Sequence, residues 1–176
     1  MKYVLTDRSR VNFVAHAPLH KFKGWAEEGL SGGLDIDLEH GMVSSLHAEV
    51  ETRCFQTPDQ ERTRAMSQFF NLSEHPYATF KIGQQISLRP AGKDCWSTKM
   101  PGILSFVDIH RLLPVIGKLR LENERLIWEL QCKWSFKAYG LKAPRLLMLT
   151  VRDIVDISAR LEFIYQEEKD QENVHQ

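Results

Sequence analysis

The sequence is short of most features that mark a redox, metal-dependent or nucleotide-using protein. It has three cysteines, Cys54, Cys95 and Cys132, far apart and odd in number, with no Cys-x-x-Cys pair. Neither a zinc ribbon nor a disulfide framework is supported, and a reduced cytoplasmic setting is the simplest expectation. An excess of one charge sign is also lacking, since 23 Lys and Arg face 23 Asp and Glu. Nucleic acid or an anionic membrane as the main partner calls for a basic excess, so the overall balance argues against both and leaves open only a local basic patch. No stretch approaches the roughly 18 apolar residues of a membrane span. Asp7, Arg8 and Arg10 interrupt any signal-peptide core, so a periplasmic location would require a leader absent from this sequence. Gly-x-Gly-x-x-Gly, Walker, Gly-x-Ser-x-Gly and His-Glu-x-x-His patterns are all missing. A phosphate cradle, a serine-hydrolase elbow and a zinc-protease helix are therefore unsupported.

What the chain does have is strand alternation, repeated. Val11, Phe13 and Ala15 alternate with Asn12 and His16, although Val14 blurs the outer face; Leu34, Ile36 and Leu38, then Leu46, Ala48 and Val50, then Ala78, Phe80 and Ile82 alternate with polar neighbours. Leu104 and Phe106 follow, then Leu119 and Leu121. The longest run is Leu126, Trp128, Leu130, Cys132, Trp134 and Phe136, and the last is Val155, Ile157, Ala159, Leu161 and Phe163. Each segment has one dry and one wet face, because successive strand side chains point to opposite sides. Parallel sheets covered by helices read as continuous apolar runs instead. The pattern predicts an all-β, antiparallel chain of about eight strands.

Helical signal is confined to one place. Arg62, Met66, Phe69 and Phe70 fall at steps of three and four, and Pro76 ends the pattern before Ala78, Phe80 and Ile82 resume period two. The spacing predicts a helix from about Pro58 to Asn71, with Thr57 as N-cap, Pro58 at the first position and Gln60 at the third. One short helix cannot cover eight one-faced strands, so the sheet must close on itself as a barrel or sandwich with the helix over an end. Glu39-His40-Gly41 and Glu122-Asn123-Glu124 read as hairpin tips, and Gly29 and Gly32-Gly33 as breaks between the first strands. Pro90 to Asp94 reads as a surface loop, and Tyr139 to Leu149 as a loop with hydrophobic contacts. One domain is expected over residues 1–165, with a polar tail over 166–176.

The polar candidates are weak. His16 and His20 are four apart, but Pro18 intervenes and no third metal ligand is obvious. His40 and His47 flank a hairpin. Asp35, Asp37 and Glu39 share the wet face of a strand, where nothing would split their pKa values. Lys21 and Lys23 around Phe22 suit an anionic head group but read more simply as loop. The apolar face says more. Phe13, Phe80, Phe106, Trp128, Trp134 and Phe136 point inward beside Ala15, Ala48, Ala78 and Ala159, either as a packed core or around a cavity, since an eight-stranded barrel can be filled or can hold a small ligand.

The order of several short motifs resembles the YceI-like proteins. Tyr3, Asp7, Ser9, Val11 and Phe13 resemble that family's first strand, and Phe22-x-Gly24 with Gly33-x-Asp35-Ile36-Asp37 its following turn and strand. Met66 to Phe80, with Phe69-Phe70 and Tyr77 after Pro76, is the strongest likeness. Gly102-x-Leu104-x-Phe106, Tyr139-Gly140-Leu141 and Val151-x-Asp153-x-Val155-x-Ile157 continue it. The resemblance implies a lipocalin-like antiparallel barrel that encloses a polyisoprenoid, a quinone tail or a fatty-acid-like chain, without catalysis and without a required cofactor. On that reading the wall is Phe13, Ala15, Leu46, Ala48, Phe80, Phe106, Trp128, Leu130, Trp134 and Phe136, with Met66, Phe69 and Phe70 as lid. The partner is an apolar small molecule, with no nucleic acid, no integral membrane segment and no metal; a homodimer is a further expectation. Two rivals stand beside it: an enzyme on a lipid-like substrate using His16, His75 or His110 at the mouth, and a filled-core scaffold acting through its surface or an exposed strand edge.

Overall fold

The computed structural model describes residues 1–167. The strands are β1 (Lys2–Leu5), β2 (Arg10–Ala17), β3 (His20–Ala26), β4 (Leu30–Asp37), β5 (Met42–Glu51), β6 (Tyr77–Ile82), β7 (Ile86–Ser87) and β8 (Arg89–Gly92). They continue as β9 (Cys95–Phe106), β10 (Ile109–Glu122), β11 (Arg125–Ser135), β12 (Arg145–Leu146), β13 (Leu149–Thr150) and β14 (Ile154–Tyr165). One helix, α1 (Gln60–Phe70), lies between β5 and β6. The sheet closes as an eight-stranded antiparallel barrel of lipocalin-like form, because β1 pairs with both β4 and β14.

The closure is uneven along the barrel. β14 pairs with β2 through Val155–Arg160 and with β1 through Phe163–Tyr165, so β1 and β2 share one place in the wall. Where they break, the β14 backbone keeps its partners: Thr6 N donates to Glu162 O at 2.8 Å, and Glu162 N donates to Ser9 Oγ at 3.0 Å. Buried Glu162 accepts from Arg125 Nη1 at 2.6 Å and from Thr6 Oγ1 at 3.1 Å. β4 continues the ladder beyond β1 to β5, but β3 has no strand on its outer side. There it meets the chain only as an isolated bridge between Trp25 and Gln56. The wall beside β3 is completed by the segment after β5 and by α1.

The interior follows this division. One cluster of buried side chains, including Leu34, Ile36, Val43, Leu46, Met100, Leu119, Leu126, Trp128 and Phe163, fills the end closed by β1 and β4. Trp128 is fully buried and donates from Nε1 to Thr98 Oγ1 at 3.0 Å, so its one polar atom is satisfied. A second cluster, built on Phe22, Phe106, Trp134, Phe136, Tyr139, Val151 and Val155, occupies the end beneath α1.

Several expectations are corrected. Helix α1 starts two residues later than its proline suggests, with Asp59 as N-cap accepting from Glu61 N at 2.8 Å and Arg62 N at 3.4 Å. Thr57 instead receives its N–H partner from the helix: its N donates to Thr63 Oγ1 at 3.0 Å. A carboxylate at the positive helix end outcompetes a hydroxyl two residues upstream. Asn71, in the left-handed region at φ 50°, ends the helix where the pattern places its stop. Residues Arg89–Gly92 form a strand on the edge of β9, although Pro90 marks a turn in the sequence; an edge position tolerates proline. Lys21 to Lys23 lie in β3, and Gly32-Gly33 lie inside β4. The stretch from Tyr139 to Leu149 contains the small β12–β13 pairing. Of the polar tail over 166–176, residues 168–176 lie outside the described residues.

Candidate ligand-binding site

The end beneath α1 holds a cavity of about 400 Å³. Its floor and walls come from the inward positions of β2 (Val11, Phe13, Ala15), β9 (Leu104, Phe106), β11 (Trp134) and β14 (Val155, Ile157), with Phe136 just beyond β11. Ala78 of β6 and Val50 of β5 add to the wall. Small residues at 15 and 78 leave the volume that larger neighbours would take. Gly24 contributes by having no side chain: a Cβ there would overlap the Phe13 ring, which lies across it. The roof is α1, which presents Arg62, Ala65, Met66, Phe69 and Phe70, and a side is formed by Pro144, Arg145 and Leu146. Exposed Ala65, Lys23 and Arg145 all line it, so the cavity reaches the surface between α1, β3 and β12.

Aromatic rings hold this end in shape. Phe70 packs 5.1 Å from Phe106, 6.0 Å from Trp134 and 6.2 Å from Phe136, the last pair being parallel. Phe69 sits edge-on to Phe136 at 5.9 Å, and Phe13 meets Phe55 at 5.5 Å. The buried Trp134 indole N–H has no hydrogen-bond partner among the described residues and is surrounded by rings. Tyr139 closes the same cluster; its hydroxyl donates to Leu104 O at 2.9 Å, and burial pushes its phenol up to about 12.

Polar side chains are few, and the charged ones are all cationic. Thr57, Lys23, Arg62 and Arg145 are the polar lining residues, and no Asp, Glu, His or Cys lines the cavity. Arg62 lies over the Phe22 ring at 5.1 Å, a cation–π contact that holds the guanidinium at the rim. Neither Lys23 nor Arg62 forms an ion pair among the described residues.

The structure separates the thirteen residues singled out in the sequence. Phe13, Ala15, Phe106, Trp134 and Phe136, together with Met66, Phe69 and Phe70, line the cavity. Leu46, Ala48, Phe80, Trp128 and Leu130 do not; they belong to or pack against the filled cluster at the other end. All ten wall positions face inward, but inwardness does not say which end of the barrel a side chain reaches. Val11, Phe22, Phe55, Leu146 and Val155 also line the cavity, outside the set expected for its wall. Val11 and Val155 carried the alternation that would have found them; Phe55 and Leu146 lie in stretches with no period.

The histidines proposed for chemistry are elsewhere. His16 Nε2 is 2.7 Å from Asp156 Oδ2, and Lys133 Nζ is 2.7 Å from Asp156 Oδ1. Hydrogen bonds from Lys133 and His16 hold the Asp156 carboxyl below its usual range. His75 Nδ1 lies 3.5 Å from Asp108, and His110 Nδ1 lies 2.5 Å from Ser105 Oγ. His20 stacks on Phe22 rather than joining His16, and His40 pairs with Asp37 at 2.7 Å rather than with His47. Among the described residues no group of three or more His, Cys, Asp or Glu side chains is placed to hold a metal, and no helix is long and apolar enough to cross a membrane.

Fold and site together define a closed β-barrel with an apolar, side-opening chamber at one end. The chain belongs to the YceI-like domain family, whose sequence model matches residues 3–163. Among solved structures it is similar to a polyisoprenoid-binding domain from Saccharophagus degradans implicated in plant cell wall breakdown (16% identity, TM-score 0.73, covering 93% of this chain and 98% of that one). BcnA of Burkholderia cenocepacia is similar too (16% identity, TM-score 0.69, 88% and 95% covered), as is the YceI protein of Campylobacter jejuni (15% identity, TM-score 0.60, 82% and 85% covered). At these identities the likeness is one of fold. No curated protein sequence matches the chain.

Proposed function

We propose that this protein binds, carries or sequesters an isoprenoid or other long apolar chain, without catalysis, in the cavity beneath α1. The observation that carries the reading is the lining: about 400 Å³ walled mainly by aromatic and aliphatic side chains, with Lys23, Arg62 and Arg145 its only charged residues. That volume lies within the range of small-molecule pockets, and it is more than twice the roughly 150 Å³ of an apolar cavity known to admit benzene. Apolar surface covered by a chain gains about 25 cal/mol per Å², or about 0.8 kcal/mol per CH₂, less the cost of ordering the ligand. Helix α1 buries none of its residues, although Met66, Phe69 and Phe70 face the chamber, so a bound chain would give the roof an apolar surface to pack against. A polyprenyl compound, a quinone tail and a fatty-acid-like chain all satisfy these walls. Lys23, Arg62 and Arg145 would meet the head group. The polyisoprenoid-binding description of the Saccharophagus domain supports the first of these.

The rival readings have less to stand on. An acid or base at the chamber needs a titratable carboxylate, imidazole or thiol facing it, and none lines it. A filled-core scaffold describes only the end around Trp128. Organic extraction of the purified protein, followed by mass spectrometry, tests the proposal. A stoichiometric apolar compound is expected. Recovery of none, together with failure of the delipidated protein to take up a prenol, a quinone or a fatty acid, would overturn it.

A further inference from the structure

Two hairpins stand at the mouth of the cavity, and both end in large exposed apolar residues. The β2–β3 hairpin turns at Pro18-Leu19, where Leu19 is fully exposed with φ 60°. The β12–β13 hairpin turns at Leu147-Met148, 65% and 85% exposed, with φ 50° and 65°. These left-handed positions suit glycine, asparagine or aspartate, and a leucine or methionine there gains nothing from the backbone. The two tips belong to one rim. Arg152 N donates to His16 O at 2.7 Å and Val151 N to Pro144 O at 3.0 Å, tying the second hairpin to the end of β2. Lys23 and Arg145, one from each hairpin, line the same opening.

The charge of this rim departs from that of the whole chain. Residues 11–25 and 137–152 contain no Asp or Glu, and carry Lys21, Lys23, Lys137, Lys142, Arg145 and Arg152. Asp153 and Asp156 lie close by but are engaged: Asp153 accepts from Lys137 N at 2.9 Å and from Ser135 Oγ at 2.5 Å, and Asp156 holds Lys133 and His16. At the filled end two hairpin tips carry acidic residues, Asp37 and Glu39 before Gly41 and Glu122 and Glu124 beside Asn123, while the β8–β9 turn carries Lys93 with Asp94. The rim that bears the apolar tips is thus basic, while exposed Asp108 at the β9–β10 turn and Glu61 on α1 lie elsewhere around the open end.

We infer that the open end docks on an anionic lipid bilayer, with Leu19, Leu147 and Met148 inserted among the head groups and the surrounding lysines and arginines against the lipid phosphates. Apolar tips within a basic collar are the chemistry of reversible interfacial binding. Tips and collar lie on one side of the mouth, so that side turns toward such a surface. The opening of the cavity then faces the bilayer. This goes beyond ligand binding, and the apolar tips with Lys21 and Lys142 do not line the cavity.

Flotation with vesicles of phosphatidylcholine, with and without phosphatidylglycerol, tests it. The native chain is expected to float with the phosphatidylglycerol vesicles and to be released by high salt. A Leu19→Ser, Leu147→Ser, Met148→Ser variant should lose at least about tenfold in partitioning, and Lys21→Glu with Lys142→Glu about as much again. Both variants change exposed side chains, so circular dichroism and cavity occupancy, read by extraction and mass spectrometry, should match the native chain. Absence of native binding, or equal binding by native and both variants, overturns docking. Vesicle binding by a protein that yields no extractable chain and takes up no prenol, quinone or fatty acid after delipidation would overturn the ligand proposal and leave docking standing; a retained chain with no vesicle binding would do the reverse.

Discussion

The two ends of this barrel are made from the same alternation and finish differently. At the end around Trp128 the wall is continuous, with β14, β1, β4 and β5 hydrogen-bonded in turn. Inward side chains from all sides meet there, and Trp128, Leu46, Leu119, Leu126 and Phe163 have essentially no exposed surface. At the other end the same strands continue, but β3 has no strand partner on its outer edge and α1 spans the gap without burying a residue. A helix sits farther from the barrel axis than a strand in the wall would. The difference teaches that filling is decided by closure of the wall rather than by hydrophobicity, for the open end has the denser set of aromatic rings.

The sharpest way to break the comparison is to remove volume at the filled end. Trp128→Ala should cost about 3–5 kcal/mol, because it empties a close-packed site and strands Thr98. Chemical denaturation measures this, and a loss under about 1 kcal/mol would mean that the end is not packed as described. Adding volume should act oppositely at the two ends. Ala48→Phe, against the filled cluster, should destabilise by about 1–3 kcal/mol. Ala78→Phe, on the cavity wall, should be neutral or stabilising by about 0.5–2 kcal/mol while abolishing retention of an apolar ligand. Equal penalties for the two would erase the distinction.

A smaller effect is expected at the roof. Phe69→Ala with Phe70→Ala removes half-exposed rings, so the barrel should stay folded with a loss of about 1–2 kcal/mol, and a bound chain should dissociate faster; an unchanged off-rate would return α1 to ordinary packing. The smallest effect belongs to the outer surface. Asp156→Asn should leave ligand retention and the neutral-pH melting temperature essentially unchanged, because exposed ion pairs contribute little. The Asp156 carboxyl titrates below its unfolded value, so whatever it contributes is fully present above a pKa of about 3.9 and is lost as pH falls through its folded value. A melting profile that instead fell between neutral and alkaline pH in the native chain alone would contradict this assignment.

Much of the barrel was legible in the residues. Period-two alternation marks β2, β4, β5, β6, β11 and β14, since a one-residue slip would turn each dry face outward. The single helix showed in the step from Arg62 to Phe70, although Asp59 rather than Thr57 holds its first N–H groups. β3 and β8 were missed because Lys21, Lys23 and Pro90 look like loop residues; both strands lie at sheet margins, where an unmet backbone group faces water and such residues are tolerated. Within the site, Phe13, Ala15, Phe106, Trp134 and Phe136 were readable as inward, and so were Leu46, Ala48, Phe80, Trp128 and Leu130. Nothing in local pattern distinguishes the first five from the second.

The sequence by itself determined which side of each strand is dry, that the sheet must close on itself, and that one helix ending near Asn71 is all there is to cover it. These follow from local periodicity and from the need to bury one face. Only the tertiary structure decided that β1 and β2 split one place in the wall, that β3 ends the ladder, and that the resulting gap lies over Phe106 and Trp134 rather than over Trp128. Those outcomes depend on pairings between residues more than a hundred positions apart, such as Val155 with Ala15 and Tyr165 with Tyr3, and register across such distances is set by the whole barrel at once.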